Sequence, residues 1–96
     1  MEDEFASVVD AFCSQAQEVW PQAAAALADG EHESLERIAH AMKGSALSLG
    51  AEPLSETLQA LEQAARGEDV ALTREQHQLA QARLDETLSW VQSAMA

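Results

Sequence analysis

Breaker residues divide this chain into segments, and within each segment the apolar residues recur at steps of three and four, the spacing of a helix with one buried stripe. Phe5, Val9, Phe12, Ala16 and Val19 form the first stripe, on a helix predicted to begin near Asp3. Pro21 either kinks that helix or opens a new one in its first turn, and QAAAALA carries on to a stop at Asp29 and Gly30. Leu35, Ile38, Met42, Ala46 and Leu49 make the next stripe, closed by Gly50, which can take the left-handed conformation that ends a helix. Pro53 fits a first turn, Leu54, Leu58, Leu61 and Ala65 follow in phase, and Gly67 ends that segment. The last helix is predicted to start at Asp69 in preference to Thr73, whose TREQ matches a capping box, and to run through Leu84, Leu88, Val91 and Met95. No stretch alternates with period two, so strands are not supported. The expectation is all-α: an up-and-down four-helix bundle with a kinked or split N-terminal helix, in a single domain over residues 1–96.

Composition narrows the class. Aromatics are only 4% of a chain that is 47% hydrophobic, so the core must be built from Leu, Ala and Val around anchors such as Trp20 and Trp90. Seventeen acids against five Lys and Arg give a net charge of -12, which repels a phosphate backbone and an anionic membrane surface alike. MEDEF lacks the basic start of a signal peptide, and no apolar run approaches the roughly 20 residues that cross a bilayer. A soluble cytoplasmic protein is expected, contacting neither nucleic acid nor membrane. The single cysteine, Cys13, lies among Val9, Phe12 and Ala16 and reads as a small buried hydrophobe.

One stretch is not explained by bundle packing. HAMKGSALSLG, His40 to Gly50, contains the only lysine, Lys43, and a glycine in mid-helix, Gly44. At about 100° per residue, Leu35, Ile38, Met42 and Leu49 fall opposite His40, which therefore faces outward. Arg37, Lys43, Gly44 and Leu47 lie within about 60° of His40 on that outer face. Arg37 and Lys43 are the only Arg or Lys residues before Arg66, so they make a cationic island in an acidic chain.

This pattern fits phosphoryl acceptance. An exposed imidazole is largely neutral near pH 7 and offers a nitrogen lone pair to phosphorus without further activation. An ammonium one turn away can stabilise the oxygens that arrive. Glycine costs about 1 kcal/mol relative to alanine inside a helix, so Gly44 calls for a reason, and clearing space beside His40 for a large partner supplies one. Ser45 turns toward the core, where its hydroxyl can bond a carbonyl one turn back. Arg37 either meets the partner or pairs with Glu33 four residues earlier. Leu47 is expected to contact the partner through apolar surface.

At these residues the chain resembles the histidine-containing phosphotransfer (HPt) domain family. Its pattern His-x-x-Lys-Gly-Ser, with a glycine five residues on, is matched by His40, Lys43, Gly44, Ser45 and Gly50. The likeness extends from about Phe5 to the C-terminus and is most specific between Arg37 and Gly67; Met42 stands where many members have leucine. The resemblance implies a phosphocarrier, not an enzyme. It implies that His40 accepts a phosphoryl group from the aspartyl phosphate of a response-regulator receiver domain, in the setting of a hybrid sensor kinase, and passes it to another receiver. Lys43 and Gly44 would line the site. Magnesium would belong to the receiver and no cofactor or metal to this chain, which is expected to be a monomer.

Two rivals come from other classes. Dimetal bundles need Glu-x-x-His pairs on two helices, but the residues three before His32, His40 and His77 are Asp29, Arg37 and Arg74. His32 sits at a helix start, and His77 shares the phase of Leu84 and Val91, which suits a partly buried bundle residue. A helical adaptor that leaves its histidine unused is the alternative. An autonomous kinase lacks both a glycine-rich nucleotide loop and the room for one.

Overall fold

In a computed structural model, which describes residues 3–95, the chain forms α1 (Asp3–Glu18), α2 (Trp20–Asp29), α3 (His32–Leu49), α4 (Glu52–Arg66) and α5 (Val70–Met95). The first two segments are one bundle helix split at Val19. Pro21 has no N–H to give the ladder, and the turn tightens there, with Gln22 N bonding Val19 O at 3.0 Å. The expected four-helix bundle with a split N-terminal helix is therefore present.

The glycine stops act as read at two junctions. Gly30 and Gly50 take φ of 71° and 83°, and their N–H groups turn back onto the preceding helix. At the third junction Gly67 stays right-handed at φ -83°, and Glu68 takes the left-handed conformation at φ 54° instead. Asp69 then caps α5, its Oδ1 accepting from Leu72 N at 3.1 Å. Thr73 is no cap: it is fully buried and donates its hydroxyl to Asp69 O at 2.6 Å.

Phe12, Leu35, Met42, Leu54, Leu58 and Leu61 lie fully inside the core. The α3–α4 pair is its centre, with α1 and α2 packed on α3 and α5 on α4. Truncating a leucine such as Leu58 at that centre costs about 2 to 5 kcal/mol, whereas the outer face of α3 contributes little, so that face is free to carry chemistry. Some expected core positions are corrected, and Ala16, Val19 and Leu88 are half-buried. Trp90 is 52% and Phe5 46% exposed: Phe5 lies in the first turn of α1, and Trp90 stands at a surface cleft with Gly50, Ala51 and Pro53, off the face that buries Val91. Ile38 is only half-buried at the edge of the cluster. The side-chain position expected of Met95 lies outside the described residues.

Trp20 is the buried aromatic anchor. Its Nε1 donates to Gln81 Oε1 at 2.7 Å, and its ring stacks on His77 at 5.0 Å and 8°. His77 is thus half-buried, as its phase predicted, and burial lowers its pKa from the ordinary histidine value. The neutral ring is the one the fold favours, so stability is full above the unfolded-state pKa of about 6.5 and falls as pH drops toward the lower folded value. His77→Phe keeps the stack and removes the titration. Thermal melts from pH 7 to 5.5 should show the wild type losing more stability than this variant; parallel losses would contradict the assignment.

Candidate functional site

The residues singled out around His40 sit on α3, and the structure sorts them. His40 stands outward with 69% of its side chain exposed. Leu47 is 60% exposed and Gly44 is exposed within the helix. Nothing lies within 4 Å of the position a Gly44 Cβ would take, so no helix packing demands a glycine here.

Arg37 does not pair with Glu33. Its only side-chain contact among the described residues is a 3.4 Å bond to Ser34 Oγ, which leaves the guanidinium on the rim of a shallow groove with Glu33, Glu36, His40, Glu62 and Arg66. Ser45 does turn inward, but its hydroxyl bonds the Gln15 side chain of α1 instead of a carbonyl on its own helix. That bond ties α1 to α3 directly behind the exposed face.

The largest departure is Lys43, expected beside His40 as an exposed ammonium. It is only 22% exposed, and its Nζ lies 3.1 Å from Glu62 Oε1. Glu62 comes from α4 and is buried, with 8% of its side chain exposed. Its Oε2 is 3.1 Å from His40 Nδ1 and 3.2 Å from Arg66 NH2. Arg66 also donates from Nε to Glu36 Oε2 at 2.7 Å, extending the chain of charge across the α3–α4 seam. Desolvation works to raise the Glu62 pKa, but hydrogen bonding and charge from Lys43, and then from His40, outweigh it, and the net shift is downward. Glu62 is therefore an anion at neutral pH and can only accept. His40 Nδ1 must be the donor, and Nε2 is left with its lone pair toward solvent.

Sequence reasoning missed Glu62. A signal existed: at about 100° per residue Glu62 lies about 40° from Leu58, at the edge of the buried stripe, where an acid needs a partner. Opposing α3 cations could have been matched to it. Arg66 was passed over because its role depends on Glu62.

The Hpt domain family model matches residues 7–93. No curated protein and no solved structure gives a significant match. Among the described residues no helix is long and apolar enough to cross a membrane.

Gly44 can be tested at this point. Gly44→Ala should raise stability by up to about 1 kcal/mol, and Gly44→Leu should leave the fold intact while obstructing approach to His40. Unfolding of either variant in a denaturant titration would contradict the open geometry.

Proposed function

Because the chain belongs to the Hpt domain family, whose members carry phosphoryl groups on histidine in phosphorelays and interact with receiver domains, we propose that His40 is the acceptor. The observation that carries this reading is the exposed His40 ring, anchored at Nδ1 by the Glu62 anion with Nε2 free. The Nε2 lone pair attacks the phosphorus of a receiver aspartyl phosphate. The Nε2–P bond forms, the P–O bond breaks, and the aspartate leaves as its carboxylate with the electron pair. No proton must move, since Nδ1–H already faces Glu62. The reverse step delivers the group to a second receiver, in a relay that includes a hybrid sensor kinase. Magnesium enters with the receiver and this chain binds no cofactor of its own.

Lys43 stabilises the added charge. Its ammonium lies one helical turn from His40, and the bond to Glu62 holds it at the site instead of in solvent. Arg37, free of an acidic partner among the described residues, meets the anionic face of the receiver. Leu47 supplies apolar contact at the centre of a transient interface, and Gly44 provides clearance. The domain acts as a cytoplasmic monomer.

His40→Gln should keep full helical content and lose all acid-labile phosphorylation from a panel of phosphorylated receivers; label on that variant would overturn the assignment. Lys43→Ala should slow transfer or shorten the phosphohistidine lifetime by the equivalent of about 1 to 3 kcal/mol. Leu47→Asp should weaken receiver binding by about 1 to 3 kcal/mol with the bundle intact, as followed by titration; unchanged affinity would move the docking centre elsewhere.

A further inference from the structure

Resting on the phosphotransfer reading, we infer that Glu62 has a second task after the phosphoryl group has arrived: it keeps the proton on Nδ1 of phospho-His40, so that the imidazole leaves as a neutral ring. When an acceptor oxygen attacks phosphorus, the O–P bond forms, the P–Nε2 bond breaks and its electron pair stays on Nε2. If Nδ1 still carries hydrogen, the product is a neutral imidazole in the tautomer the resting site holds. If Nδ1 has lost its proton, the product is an imidazolate, a far poorer leaving group that must take a proton from elsewhere.

The phosphorylated ring with Nδ1–H carries positive charge, and the group 3.1 Å from that nitrogen is a carboxylate that is 8% exposed. An opposite charge at that distance favours the protonated form, and low exposure limits screening. The other charges facing the ring are Glu33, Glu36, Arg37 and Lys43 on α3 and Arg66 on α4. Arg66 is divided between Glu36 and Glu62 and Lys43 is directed at Glu62, so both cations are held by carboxylates, and as donors only they leave Glu62 as the acceptor for Nδ1–H. The anion that fixes which nitrogen attacks would thus also fix the charge on the ring when it departs.

The test separates orientation from charge. Glu62→Gln keeps a carbonyl oxygen that can accept from Nδ1–H but removes the negative charge. Lys43→Met removes a positive charge near the same ring. The wild type and both variants, labelled with 15N-histidine, are phosphorylated with phosphoramidate, a small donor that needs no receiver. The ring proton is titrated by 15N NMR, and phosphohistidine hydrolysis is followed from pH 6 to 10. Glu62→Gln should shift both the titration and the descending limb of hydrolysis down by about 1 to 2 pH units, and Lys43→Met should shift them upward. Coincident profiles, shifts of the opposite sign, or failure of phosphoramidate to load Nε2 of the wild type would overturn the inference. A protein that loads and titrates as expected but exchanges with no receiver would overturn the relay reading and leave this inference standing.

Discussion

The site depends on one buried carboxylate. Glu62 sits where the α4 stripe meets α3, and removing an ion from water costs several kcal/mol unless partners compensate. Here the compensation is threefold, from His40, Lys43 and Arg66. All three are placed by helix geometry: His40 and Lys43 by their three-residue spacing on α3, Arg66 by its four-residue spacing from Glu62 on α4. The α3–α4 contact is the most extensive among the described residues, so the acid is held in the best-packed seam of the fold. The reactive ring is anchored to that seam at one nitrogen and keeps solvent at the other.

This arrangement changes the meaning of the cationic island. Lys43 is not a free ammonium waiting in solvent, since in the resting state Glu62 neutralises it. Under the proposed function, arriving phosphoryl charge would compete with Glu62 for that ammonium. Arg37 and Leu47 stay outside the network on the same helix face, available to a partner without disturbing the ring.

The bundle was legible because its signals are local. Glycine stops, proline breaks and three-four spacing located every helix, and the outward phase of His40 followed from the same periodicity. Phe5 was misplaced because periodicity assigns a face but not whether an opposing element reaches that far along the helix, and Trp90 because it was chosen as an anchor from composition and lies off the stripe of Leu84, Leu88 and Val91. Ser45 was given the right direction and the wrong partner, since Gln15 comes from another helix. Glu62 was missed for the same reason, being 22 residues from His40: a contact between helices depends on their rotation and register, which one stripe read by itself does not fix.

The account rests on Glu62 selecting the Nδ1–H form of His40. Long-range 1H–15N correlation of the unphosphorylated protein near pH 7.5 observes this directly. The account predicts that His40 Nδ1 resonates as the protonated, pyrrole-like nitrogen and Nε2 as the unprotonated, pyridine-like one. A His40 ring carrying its proton mainly on Nε2 would contradict it.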